Sequence, residues 1–246
     1  SPESEVRIFK LMHAYKLLMD LHEVQDYSIC ATSAMREAGN AQAVITRIHK
    51  ILDMKINIID GSKEAELIND VVVQALDDSN YLHIDVGGGS TELNIYMNRE
   101  KVASRSFKIG SVRLLEHKER EGDWEKMCKW IEMHVDPTKS QITAVGTGGN
   151  INKLFNISSN HDSETSMSLK ELTKIKDYVS SFTYEERINK LRLNADRADV
   201  IVPAAEIYLN VMKWSGAKSI IVPDLGLKDG IIQMVYEKIQ NRKRDK

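Results

Sequence analysis

Cysteine is scarce in this 246-residue sequence, which holds only Cys30 and Cys128. Both sit in apolar-patterned surroundings without CxxC spacing. That argues against a disulfide framework and fits buried thiols in a reducing cytoplasm. The histidines supply no HExxH and no metal spacing beside the cysteines. An excess of one charge is missing too: 34 Lys and Arg against 36 Asp and Glu leave a net charge of −2. No overall footprint for nucleic acid exists, so positive potential for any anion must be local. No apolar run approaches a membrane span, and no membrane partner is expected. What remains, at 42% hydrophobic and 28% charged residues, is an ordinary globular protein long enough for one large domain or two medium ones.

Hydrophobic periodicity divides the chain into α/β stretches. Val6, Phe9, Met12, Leu18 and Met19 recur at helical spacing and predict a helix over 5–22, with Ser4 as its cap. A buried strand follows at 27–31, then a helix with Val44, Ile48, Ile51 and Leu52 on one face. Residues 55–59 alternate as a strand, and Ser62 is placed to cap a helix carrying Leu67, Ile68, Val71, Val72 and Leu76. Strand, helix, strand, helix is an α/β order. Three strands with short turns (81–86, 91–98, 101–108) then form a meander. Next come a helix at 123–135, a strand at 141–145 and a glycine turn at 146–149. The polar segment 157–166 reads as a mobile loop, helices dominate 168–214, and a last strand at 219–222 precedes a helix from about 227. The basic tail 241–246 reads as a solvated helix end.

The most informative stretch is Asp85-Val-Gly-Gly-Gly-Ser-Thr-Glu92. Its apolar flanks make it a β-hairpin whose tip carries almost no side chains. Glycines let the backbone approach a ligand closely, so successive N–H groups can converge on an anion. Gly87, Gly88 and Gly89 supply those amides, and Ser90 and Thr91 add hydroxyl donors. Asp85 and Glu92 bracket the tip with carboxylates suited to a hard cation riding on phosphate. A P-loop is disfavoured, because no Gly-Lys-Ser/Thr follows and the next element is a strand.

Four other segments bear on the same chemistry. Arg36, in Ala31-Thr-Ser-Ala-Met-Arg36, lies at the carboxyl end of a strand, where a guanidinium can grip phosphate bidentately. The residues alone fit a solvated helix-start arginine equally well. Glu64, after Asp60-Gly-Ser-Lys63, either complements a helix dipole or positions and deprotonates water. Arg113, after Ile109-Gly-Ser-Val112, offers a second anion contact at a helix N-terminus. Gly146, Gly148 and Gly149 end a strand at a helix start but lack GxGxxG spacing, since position 151 is Ile. Paired with the hairpin, they suggest one crevice between two α/β halves.

Taken in order, ATSAMREA, DGSKEAELI, HIDVGGGSTEL, KIGSVRLLE, AVGTGGNINKL, RADVIVPAAEIYL and IIVPDLGLKDGII resemble the exopolyphosphatase and guanosine-pentaphosphate phosphohydrolase family of the actin-like ATPase superfamily. The resemblance implies a two-domain α/β fold of the actin-like, ribonuclease H-like type. Its first domain would hold 1–79 with 227–246, its second 80–226, with a cleft between them. It implies Mg²⁺- or Mn²⁺-assisted removal of terminal phosphates from polyphosphate or guanosine pentaphosphate, and a possible homodimer. Glu64 matches the water-activating base and Arg36 a phosphate ligand. Gly87, Gly88, Gly89, Ser90 and Thr91 match the phosphate loop, with Asp85 and Glu92 near the metal. Arg113 is grouped with the phosphate contacts, as are Gly146, Gly148 and Gly149, which match the superfamily's adenosine loop. Two departures stand out. Lys63 replaces an acid beside the base, and no Asp-x-Gly-Ser-Asn-Ser strand is present, so the first domain's N-terminal strands are expected to lie outside this chain.

Overall fold

The computed structural model describes residues 2–74, 76–138, 141–158, 165–223 and 225–244. The chain divides into two units, Ser1–Gln74 with Leu225–Lys246, and Ala75–Asp224.

The first unit opens with α1 (Pro2–Leu21), β1 (Ile29–Ala31), α2 (Ser33–Arg36), α3 (Ala41–Leu52), β2 (Ile56–Ile58) and α4 (Gly61–Gln74). β1 and β2 pair in parallel, Ile29 opposite Ile56 and Ala31 opposite Ile58. Val44, Ile48 and Leu52 recur along one face of α3 and pack with Met12 of α1 and with Met54 and Ile56. That periodicity is why the segment is helical and why it docks. The α1 stripe departs from expectation: Met12 is buried, while Val6 and Leu18 are 47% and 50% exposed. Two expected caps also move. Ser4 and Ser62 lie inside α1 and α4, and α4 is instead capped by Asp60, whose Oδ1 accepts the Lys63 N–H at 2.8 Å. An aspartate directly before the helix outcompetes a serine one residue inside it.

The second unit contains β3 (Tyr81–Val86), β4 (Thr91–Met97), β5 (Glu100–Phe107), α5 (Ser111–Leu115), α6 (Asp123–His134), β6 (Thr143–Thr147) and α7 (Gly149–Ile157). It continues through β7 (Ser166–Ser168), α8 (Leu169–Ser180), α9 (Tyr184–Asn189), α10 (Ala195–Ala198), α11 (Ile201–Ser215) and β8 (Ser219–Ile221). Its six strands are ordered β5-β4-β3-β6-β8-β7, with β3, β6 and β8 parallel and the meander antiparallel. The three-residue edge strand β7 was not expected, because a segment that short leaves no alternation to read. Most of the expected loop at 157–166 (residues 159–164) lies outside the described residues. Leu82, Ile84, Leu93, Ile95 and Ala144 fill the core with α11 residues such as Ile207 and Tyr208.

The last helix, α12 (Leu227–Arg244), belongs to the first unit and packs on α4. Gly230 makes this possible. It is buried, and a Cβ there would come within 2.6 Å of the Leu67 carbonyl carbon. Alanine in a helix interior gains about 1 kcal/mol over glycine, but overpacking against fixed backbone costs about 1–3 kcal/mol. The carbonyl cannot turn away without breaking the α4 ladder, so the clash wins. Gly230→Ala is expected to lower stability by up to about 2 kcal/mol, read as an earlier chemical-denaturation midpoint.

Candidate active site

The hairpin tip joins β3 to β4, and its hydrogen bonding is one-sided. Gly87 O accepts from the Ser111 N–H at 2.9 Å, and Gly88 O accepts from Val112 and Arg113 at 2.9 and 3.1 Å. Gly89 O accepts from Arg113 Nε at 3.1 Å. Every carbonyl of the triplet is thus held from behind by α5. Of the tip amides, Gly87 donates to Ser90 O. Those of Gly88, Gly89 and Ser90 donate to no described residue, and the three glycines are exposed. A turn whose carbonyls are occupied and whose amides are open carries positive potential on its outer side. Close backbone approach enforces this: a Cβ on Gly110 would come 2.6 Å from the carbonyl carbon of Gly88.

This geometry revises two expected contacts. The first amides of α5 are occupied by the glycine carbonyls, so that helix end offers buttressing and no open anion contact. Arg113 serves it from behind, bonded to Gly89 O and, at 3.4 Å, to Lys118 O. Thr91 is fully buried and its hydroxyl donates to Ile109 O at 2.7 Å. It anchors the hairpin and is no open phosphate donor. Ser90 Oγ donates to Glu92 Oε1 at 2.7 Å, and Ser106 Oγ joins the same oxygen at 2.9 Å.

Asp85 and Glu92 are direct cross-strand partners, and Asp85 also registers with Thr147 on β6. Residues so paired share a face of the sheet. Among the described residues no group of three or more His, Cys, Asp or Glu side chains could hold a metal ion. Two carboxylates nonetheless fit a magnesium-type ion, which takes one or two carboxylates and completes its shell with substrate phosphate and water.

The second glycine turn lies at the end of β6, next to the first. The strand runs two residues further than its apolar pattern suggested, through Gly146 and Thr147. Gly146 is therefore a packing residue: a Cβ there would come 2.8 Å from Ile220 and 3.0 Å from Ile151. The open part begins at Gly148, whose φ of +103° suits only glycine and whose Cα faces the Asp85 carboxylate. Gly149 lies under the Arg197 guanidinium, 2.8 Å from its Cζ for an added Cβ.

Arg197 had no assigned role in the sequence, although it stands in the RADVIV segment. His83 was missed as well. Its Nδ1 accepts from Asn94 Nδ2 at 3.1 Å, and its Nε2 lies 2.9 Å from the Thr147 hydroxyl. Asn94 Oδ1 accepts from Ser104 at 2.7 Å. Thr147 is held on its other side by the Tyr208 hydroxyl, which donates to its carbonyl at 2.7 Å. Burial, and then the Asp85 charge, push the Tyr208 phenol well above its ordinary value, so it remains a donor. A polar His-Asn pair inside an otherwise apolar strand pair was the available signal.

In the first unit, Arg36 and Glu64 come together. Arg36 Nη1 donates to Ile59 O at 2.6 Å and to Glu64 Oε2 at 3.2 Å, with both side chains partly exposed. Lys63 pairs with Glu66 at 2.7 Å.

Fold and site geometry together define an α/β protein whose glycine hairpin presents three open amides. The model of the Ppx/GppA phosphatase family matches residues 1–239. The chain belongs to that family. It is 27% identical over 98% of its length to a bifunctional 3-dehydroquinate synthase/phosphatase of Fusobacterium nucleatum, covering 39% of that protein. To a guanosine-5′-triphosphate,3′-diphosphate pyrophosphatase of Aliivibrio fischeri it is 24% identical, covering 89% of this chain and 46% of that one. The chain thus spans less than half the length of these curated relatives. A solved exopolyphosphatase of Cytophaga hutchinsonii superposes with a TM-score of 0.76 at 26% identity, over 97% of this chain and 83% of that one. A family member from Aquifex aeolicus shares the fold with a TM-score of 0.72 at 24% identity, over 98% and 83%.

Burial holds the His83 imidazole at a pKa of about 4, below its ordinary 6.5, with Lys101 adding a smaller push. The folded value lies below the unfolded one. The stabilisation by the neutral ring is therefore complete above about pH 6.5 and lost as pH falls through 4. It is expected to total about 3 kcal/mol, measured by urea denaturation at pH 7 and pH 4. His83→Gln should flatten that part of the profile, and the His83 ring resonances should titrate near pH 4.

Proposed function

We propose that this chain carries the phosphoryl-binding and water-activating parts of a hydrolase that removes terminal phosphates from inorganic polyphosphate. The supporting observation is the polarity of the Gly87–Ser90 tip, with its carbonyls bound to α5 and three amides open. Oriented amides stabilise charge that grows on phosphoryl oxygens during in-line attack, at no cost of reorganisation. Arg197 adds a guanidinium beside Gly149, and the family resemblance gives Arg36 of the first unit the part of a phosphate ligand. Glu64 receives the proton of the attacking water. In the resting protein Glu64 shares the Arg36 guanidinium, so an arriving phosphate competes for Arg36 and releases the carboxylate for its task. Asp85 and Glu92 would hold Mg²⁺ or Mn²⁺, which supplies neutralisation of phosphate charge when bound.

A second reading, guanosine pentaphosphate as substrate, is favoured by the name of the Aliivibrio fischeri relative. A third is a phosphate-binding protein of weak activity, for which Lys63 in place of an acid speaks. Competing turnover of long polyphosphate and guanosine pentaphosphate by one preparation separates the first two, and tight binding without phosphate release identifies the third. A positioned general base contributes about 10²–10⁴-fold. Glu64→Gln is therefore expected to lose activity by that factor while still binding polyphosphate. Release of phosphate at the unaltered rate removes Glu64 from the role.

A further inference from the structure

Ser106 lies on β5, the strand at one end of the six-stranded sheet. Asp85 pairs with Glu92 across β3 and β4, and Glu92 pairs with Ser106 across β4 and β5. The three side chains therefore stand in one row on one face of the sheet. Hydrogen bonding along that row is lopsided at Glu92. Ser90 Oγ donates to Glu92 Oε1 at 2.7 Å, and Ser106 Oγ donates to the same atom at 2.9 Å. Glu92 Oε2 accepts from no described residue, and the side chain is half-buried, so solvent reaches it. A carboxylate has about four lone-pair positions, two on each oxygen. Two hydroxyls on Oε1 fill that oxygen and leave the other. Ser90 belongs to the glycine tip itself, whereas Ser106 comes from a neighbouring strand 14 positions away. Ser106 is thus the partner whose place does not depend on the tip.

We propose that Ser106 is a positioning residue: with Ser90 it occupies Oε1, so that Glu92 offers a cation one oxygen and not two. This rests on the reading that Asp85 and Glu92 hold Mg²⁺ or Mn²⁺. A small ion that demands near-octahedral geometry is served by single carboxylate oxygens, with water and phosphate completing its shell. Ca²⁺ is larger, takes more ligands and readily accepts both oxygens of one carboxylate. Filling Oε1 therefore favours the small ion and handicaps Ca²⁺. The hydroxyl of Ser106 acts through Glu92 and touches neither ion.

The test titrates Mn²⁺ into the unaltered chain, follows the relaxation rate of water protons, and uses Ca²⁺ as competitor. Ser106→Thr keeps a hydroxyl, Ser106→Val has nearly the same shape without one, and both residues suit a strand. Position 106 is exposed, so both variants should fold, which the denaturation midpoint checks. Loss of an outer-shell partner costs about 10–100-fold in metal affinity. For an exposed hydroxyl the lower end applies: Ser106→Val should bind Mn²⁺ about tenfold more weakly and Ca²⁺ no more weakly than before. Ser106→Thr should bind both ions as the unaltered chain does. Equal weakening of the two ions by Ser106→Val reports a loosened strand and overturns the proposal. Unchanged Mn²⁺ binding by Ser106→Val, or Ser106→Thr no better than Ser106→Val, overturns it too. Glu92→Gln separates this from the reading beneath it. Saturable Mn²⁺ binding that Glu92→Gln abolishes upholds the carboxylate site even where Ser106 fails. An unaltered chain that binds no Mn²⁺, or a Glu92→Gln variant that binds it equally well, ends both.

Discussion

The second unit depends on one directional arrangement, the capture of the Gly87–Gly89 carbonyls by the start of α5. A peptide group with its oxygen held has only its N–H left to offer, so the hairpin tip becomes a concave set of donors. The selection of residues around it follows from this. Gly110 has no side chain because the backbones of Gly88 and Gly89 lie where one would be. Arg113 turns backward to Gly89, and Thr91 and Ser111 lock the ends of the turn. A chain that uses three glycines in a row and four neighbouring residues to immobilise them holds its open amides there at a conformational cost.

A second constraint lies beneath the tip. Ser104, Asn94, His83 and Thr147 form a continuous polar row across four strands, beside core residues such as Leu82, Ile84, Leu93 and Ile95. Replacing such a row by apolar residues is often neutral in stability, whereas a half-satisfied row is costly. What the row specifies is orientation. Thr147 is fixed by its hydroxyl and by its carbonyl, so the following glycine takes its left-handed turn in one place.

Much of this was legible in the order of residues. The α3 face, the meander and the three consecutive glycines follow from periodicity and backbone freedom, which are local properties. Arg36 and Glu64 were each candidates on their own, but their ion pair joins residues 28 positions apart, which no spacing reveals. Gly146 and Gly148 look alike in sequence. Only the strand register shows that the first makes room for Ile220 and the second makes a turn. Thr91 resembled an open donor until its carbonyl partner, 18 residues away, was seen. Arg197 escaped notice because a short-helix arginine carries no pattern of its own, and His83 because its pairing with Asn94 shows only in the strand register.

The contact between Gly230 and Leu67 joins the two ends of a discontinuous unit. Residues 76–223 form an uninterrupted stretch that can collapse as soon as it leaves the ribosome. The other unit cannot close until α12 has emerged, long after α4 was made. During that interval the apolar face of α4, with Leu67, Ile68, Val71 and Val72, is without its helical neighbour. During vectorial synthesis the continuous unit can therefore collapse before the discontinuous one has received α12.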